Sequence, residues 1–248
     1  MRSLLVFGTA VLLAAPLAAQ AGGRWPPDSL VNTKVIPHGT PVTQVVGTMR
    51  NFTFALGVRC QFCHVGEEGK PLSEFNFPSD EKRTKLVARQ MMRMVQEINA
   101  RLDTLPGRTA QGLQVTCITC HRGLNRPAPL WSALVDAATA AGSDSAIHAY
   151  RALRDRYYGR DAYDFGEGSL NIAAFRLGQA GKFDDALTLL RFNEEMFPQS
   201  SALAVFRGNV LLMRRDTAAA AAAFREAIRR DSTNGEARGR LRAIGQQP

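Results

Sequence analysis

Cysteine is scarce in these 248 residues: there are four, and they stand as two Cys-x-x-Cys pairs, Cys60/Cys63 and Cys117/Cys120. No thiol is left over for a disulfide framework or a solitary nucleophile. Histidine is equally rare. Two of the four, His64 and His121, directly follow the pairs, leaving only His38 and His148 elsewhere. No apolar run of the mature chain approaches the ~18–20 residues that cross a bilayer. No alternating apolar run precedes either pair, which excludes the βαβ setting of a thioredoxin-like redox motif. A basic stripe is also missing. The formal charge of +9 is spread out, with 14 Lys+Arg against 9 Asp+Glu over residues 22–142 and 16 against 13 from Ser143 onward. Without aromatics interleaved in a cationic patch, nucleic acid is not an expected partner.

What is present is a repeated pentad, Cys60-Gln61-Phe62-Cys63-His64 and Cys117-Ile118-Thr119-Cys120-His121. Such a pentad reads as a c-type haem attachment site. Two thiols three residues apart can add to the two vinyl groups of one porphyrin, and the adjacent His offers a ring nitrogen to its iron. The expectation is two covalent haem c groups per chain. A single tetrathiolate zinc site is the competing use of four cysteines, but zinc ribbons separate their pairs by far fewer residues than the fifty and more found here. Four haem propionates would bring the first part of the chain close to neutrality.

The N-terminus reads as an export signal over residues 1–21. Arg2 supplies a positive start, Leu4 to Ala15 an apolar stretch too short to span, and Ala19-Gln20-Ala21 a small-residue cleavage site. The mature chain is expected to begin near Gly22, without a transmembrane segment, in the periplasm.

Each pentad follows a helical pattern. Thr40 and Pro41 are expected as N-cap and first helical residue, with Val42, Val45, Val46, Met49, Phe52 and Leu56 on one stripe and Gly57 at its left-handed end. A second helix is expected from a Ser79 cap to about Leu102, with Val87, Met91, Met94, Val95, Ile98 and Leu102 on one face. On a wheel of about 100° per residue, Met49 and Met91 fall at the centres of their stripes, Met94 near an edge and Met92 outside. Core filling is the ordinary use of such a Met. Because each haem needs a sixth ligand, Met49 with His64 and Met91 with His121 are the expected axial pairs, with His38 and His148 as competitors. Phe52, Phe54 and Phe62 are the candidate apolar wall.

At these residues the chain resembles the tetrahaem cytochrome subunit of bacterial photosynthetic reaction centres, a family built from repeats of a Met-bearing helix, a turn and Cys-x-x-Cys-His. The resemblance covers roughly residues 40–130. Met49 stands eleven residues before Cys60 with Leu56-Gly57 in the turn, the run Met91-Met92-Arg93-Met94-Val95-Gln96-Glu97-Ile98-Asn99 looks like the family's second type of helix, and Val115-Thr116 and Arg122-Gly123 flank the second pentad as the family's repeats do. The resemblance implies that Met91, the first Met of its run, is the ligand. This chain differs in having two pentads and a further C-terminal half.

From Glu167 a period of 34 emerges, pairing Ala186 with Ala220, Leu190 with Phe224 and Pro198 with Ser232. It looks like tetratricopeptide repeats, with flanking helices near 145–157 and 236–244; an ordinary helical bundle is the alternative. The expected organisation is therefore all-α: signal peptide 1–21, dihaem cytochrome c domain 22–142 and tetratricopeptide-like domain 143–248, joined by the Ala/Gly/Ser-rich stretch 137–145. The function implied is single-electron transfer between redox protein partners without catalysis. A dihaem peroxidase, which needs an open sixth position, and a repeat scaffold carrying a haem module stand as alternatives. Arg225, Arg229, Arg230, Arg238, Arg240 and Arg242 suggest an acidic partner docking on the repeats.

Overall fold

The computed structural model describes residues 24–107, 112 and 114–247; the expected signal peptide lies outside them. The described residues hold helices and one isolated bridge, Val65 to Asn76, but no strand. The all-α expectation holds. The helices are α1 (Val42–Leu56), α2 (Arg83–Leu102), α3 (Cys117–His121), α4 (Leu130–Tyr157), α5 (Glu167–Gln179), α6 (Phe183–Met196), α7 (Ser201–Met213), α8 (Thr217–Arg230) and α9 (Gly235–Ala243).

Chain contacts divide the described residues into two compact units, one of residues 24–49 and 59–94, the other of 50–58 and 95–247. The second contains a conventional core. Leu130, Leu134, Leu170, Leu177, Leu189, Leu190, Leu203 and Val210 are fully buried in it, each worth about 1.5–3 kcal/mol relative to exposure. The boundary expected at Gly142 falls inside α4, where Ala141 and Gly142 leave helical geometry and Gly142 adopts φ +81°. Leu134 and Ala138 before that kink pack into the same cluster as Ala146 and Tyr150 after it. Asp185 accepts a hydrogen bond from Ser143 N–H at 2.8 Å, capping the restarted helix from a distant element.

Helix starts recur with the expected spacing: α5 and α7 begin 34 residues apart, as do α6 and α8. Small residues permit the pairing. A Cβ on Gly208 would lie 2.4 Å from the Phe224 ring, so only glycine fits there. The arginines expected to face an acidic partner are largely satisfied within the fold. Arg230 binds Glu226 at 2.7 Å and also Glu194, Arg240 reaches Glu236 at 3.6 Å, Arg225 donates to Gln246 at 2.8 Å and Arg238 to the Ser232 carbonyl at 2.8 Å. Arg230 and Arg238 are half-buried, whereas Arg225, Arg229, Arg240 and Arg242 stay exposed.

Residues 24–123 pack differently. Among the described residues of this stretch, Val45 and Ala55 alone of the apolar side chains are buried, whereas buried apolar residues recur throughout the chain from Leu124 onward. A segment of this length without a protein core needs another apolar partner to repay its conformational entropy.

Candidate functional site: the two cysteine pentads

The first pentad forms a tight 3₁₀ turn. Phe62 N–H donates to Arg59 carbonyl at 3.0 Å, Cys63 N–H to Cys60 carbonyl at 3.2 Å and His64 N–H to the same Cys60 carbonyl at 2.9 Å. Lys82 and Thr84, at the entry to α2, donate to the carbonyls of Gln61 and Phe62 and so tie the turn to that helix. Ser79 does not cap α2 as expected: its hydroxyl accepts from Glu81 N–H at 3.3 Å, and the helix begins at Arg83. Thr40 likewise donates to Pro37 carbonyl at 2.8 Å, leaving Pro41 to accept the first helical bonds of α1.

His64 packs edge-on against Phe77, with ring centroids 4.8 Å apart, and Phe77 stacks on Trp25 at 4.6 Å and on Phe75 at 5.6 Å. The aromatic neighbour of His64 is thus Phe77, which lies in the turn-rich stretch 66–78 that local periodicity reads only as linker. Lys85 secures that stretch by donating to the carbonyls of Phe77 (2.8 Å), Pro78 (3.2 Å) and Ser79 (2.7 Å). Asp80 pairs with Lys85 at 3.0 Å and Arg89 at 2.9 Å, and these donors, Arg89 foremost, hold its carboxyl well below the usual range. Burial first, then the positive charge of Lys85, pushes His64 down to about 4. Its Nδ1 is buried with no hydrogen-bond partner. A neutral imidazole is the form that binds a metal. Burial pushes the Cys63 and Cys117 thiols up, opposite to the lowered value that prepares a nucleophilic thiolate.

The second pentad is a short helix. Thr116 N–H donates to Thr119 Oγ1 at 3.0 Å at its start, and Arg122 closes it in the left-handed region at φ 47°. His121 Nδ1 lies 2.7 Å from the Leu124 carbonyl. A carbonyl can only accept, so Nδ1 carries the proton and Nε2 presents its lone pair outward, the arrangement by which a backbone acceptor orients a metal-binding imidazole. Two contacts fix the pentad's flanks. Asn99 accepts from Val115 N–H and donates to Val115 carbonyl, both at 2.8 Å, and Gly123 N–H donates to Ala55 carbonyl at 2.8 Å. Gly57, at φ +64°, lies so close to Gly123 that an added Cβ would stand 2.1 Å from the Gly123 carbonyl oxygen. Its left-handed role was legible in the sequence; its close approach to the second pentad was not.

The residues fit a haem at each pentad. Each supplies two thiols and one neutral-capable imidazole. Among the described residues, no three His, Cys, Asp or Glu side chains are grouped to hold a metal by themselves. α2 offers a further fit: none of its twenty residues is buried, and Val87, Met91 and Met94 form an apolar stripe 47%, 38% and 42% exposed. Such a stripe suits a flat apolar group. Met49, half-buried on α1, falls in the same compact unit as Cys60, Cys63 and His64; Met91 falls in that unit too, whereas Cys117, Cys120 and His121 belong to the other. His38 and His148 are exposed. Phe54 is 75% exposed and borders a cleft rather than a core.

Residues 59–155 match the family model described as photosynthetic reaction centre cytochrome C subunit. Over this segment the chain is similar to the reaction centre cytochrome c family. Cytochrome c-554 of Chloroflexus aurantiacus is 38% identical over 106 residues, covering 41% of this chain and 23% of that protein. The photosynthetic reaction center cytochrome c subunits of Rubrivivax gelatinosus and Roseobacter denitrificans are 31% identical over 121 residues and 36% over 72, covering 48% and 29% of this chain. The aligned segments span 29% and 18% of those two proteins. This chain thus spans less than a third of the length of the curated relatives it matches. No solved structure matches significantly. The reaction centre cytochrome segment takes in both pentads, α2 and most of α4, so the family match, like the core, continues past Gly142. No helix among the described residues is long and apolar enough to cross a membrane.

Proposed function

We propose that this protein is an exported dihaem c-type cytochrome that passes single electrons between redox proteins in the periplasm. Cys60 and Cys63 would hold one haem with His64 and Met49 as axial ligands, and Cys117 and Cys120 the other with His121 and Met91. The observation that carries the reading is the near-absence of buried apolar residues among the described part of 24–123, combined with an exposed apolar stripe on α2 that contains Met91. Bound there, haem iron with Met and His ligands supplies a reversible one-electron couple without an open coordination site. The chain's own residues would do the positioning. Leu124 carbonyl fixes the His121 tautomer, Asn99 clamps the approach to the second pentad, and Lys85 holds Phe77 against His64. Signal-peptide cleavage near Gly22 belongs to the same proposal, because covalent haem attachment in the proteins this chain resembles takes place outside the cytoplasm. The C-terminal hairpins, with their 34-residue spacing, are proposed to be tetratricopeptide-like.

Potentiometric titration tests the ligand set. Met49→His and Met91→His should each keep both haems attached and lower one of two midpoint potentials, since imidazole favours the oxidised iron more than a thioether does. If Met91→Ala leaves the oxidised spectrum and both potentials unchanged, Met91 is not a ligand.

A further inference from the structure

The second pentad helix has a back. Along α3, Cys117, Cys120 and His121 share one face at i, i+3 and i+4, which leaves Ile118, Thr119 and Arg122 on the opposite side. On that opposite side lies a cleft of about 610 Å³, and none of Cys117, Cys120 or His121 lines it. The volume lies within the range of small-molecule sites, roughly 300–1,000 Å³. Its apolar surface comes from Phe54, Ile118 and Tyr157, the first two 75% and 50% exposed. Its charge comes from Arg122, Arg156 and Arg160 against a single acid, Asp161. Among the described residues none of these three guanidinium groups makes an ion pair; Arg156 lies 5.0 Å over the Tyr157 ring. Elsewhere in the same unit Arg207, Arg214 and Arg230 do make ion pairs. Three exposed guanidinium groups that make no ion pair, set around an exposed apolar floor, present a positive face to an anion.

We infer that this cleft is a binding site for a small organic anion, a phosphate or carboxylate carried on a flat apolar body. The planar fork of Arg160 or Arg156 suits the two oxygens of such a group, a bidentate match that an ammonium cannot make. Phe54 and Ile118 cover the body of the ligand, and Asp161 sets an upper limit on affinity by opposing the anion. None of the pentad cysteines or histidines lines the cleft.

The test is calorimetric titration of the haem-loaded full chain with 1-naphthyl phosphate and, separately, inorganic phosphate, at low and high salt. Saturable one-to-one binding of 1-naphthyl phosphate is expected, with weaker binding of inorganic phosphate and weakening of both by salt. Arg156→Gln combined with Arg160→Gln should weaken binding about tenfold or more, the scale of a lost charge-assisted pair. Phe54→Ala should weaken 1-naphthyl phosphate and leave inorganic phosphate unchanged. Asp161→Asn should tighten both, a gain that general loss of folding cannot mimic. The inference is overturned if 1-naphthyl phosphate shows no saturable binding, if the double substitution leaves its affinity unchanged, or if a polyglutamate peptide binds where the small anion does not, which would assign the cleft to a protein surface.

Discussion

Replacing Gly57 with Ala probes the link between the end of α1 and the second pentad. Two costs add. Gly57 sits at φ +64°, where a Cβ costs about 1–2 kcal/mol. That Cβ would also stand 2.1 Å from the Gly123 carbonyl oxygen, a backbone atom that cannot rotate away. Relief of the overlap must displace the 57 or 123 backbone by about 1 Å, which breaks the 2.8 Å bond from Gly123 N–H to Ala55 carbonyl and removes about 0.5–1.5 kcal/mol more. Gly57→Ala should therefore cost about 1.5–3.5 kcal/mol. Gly123→Ala is the internal control. Its φ is +87° but nothing lies within 4 Å of the added Cβ, so only the backbone cost applies. Denaturant unfolding followed by far-ultraviolet circular dichroism and by the haem Soret band would read both. Equal losses for the two variants, or a Gly57→Ala loss below about 0.5 kcal/mol, would refute the close-contact argument.

Three further perturbations follow from the same contacts. Asn99→Ala leaves both polar groups of Val115 without their partner and should cost about 1–3 kcal/mol, with faster amide exchange at Val115 in hydrogen-exchange mass spectrometry. Lys85→Met removes the donor shared by the carbonyls of residues 77 to 79, and should raise exchange in that stretch while leaving α5 to α9 unchanged. Glu194 gives the pH dependence: burial pushes its carboxyl up, but the hydrogen bond from Arg230 and the charge of Arg207 outweigh it and hold the group below its ordinary value. A depressed carboxyl stabilises the fold above its unfolded value, near 4.3, and loses that contribution as pH falls through the folded value. Glu194→Gln should therefore lower the melting temperature at neutral pH, by the equivalent of about 1–2 kcal/mol once solvent screening is allowed for, and converge with the wild type in acid; a constant difference across pH would contradict this.

The pentads, the left-handed Gly57 and the 34-residue recurrence of helices were legible from local spacing, because each is written in neighbouring residues. Helix starts were less so. Thr40 and Ser79 have capping chemistry, yet Thr40 turns back to Pro37 and Ser79 caps a turn before α2. The boundary near Gly142 was read from composition, but small residues there serve a kink within α4 whose two sides share one core. Asn99 with Val115, Gly57 with Gly123 and Phe77 with His64 join residues well separated in sequence, and no periodicity announces them. The family motif runs that include Asn99, Val115 and Gly123 carried the only trace of the first two pairings. Phe77 was hidden by its setting among prolines and glycines.

The central claim is two covalent haems per chain, and intact-mass spectrometry of the denatured, exported full chain tests it most directly. The account predicts a polypeptide beginning near Gly22 with two haem masses retained, falling to one when Cys60 and Cys63, or Cys117 and Cys120, are replaced by Ser. A chain bearing no haem, or one whose haem content is unchanged by either replacement, would contradict it.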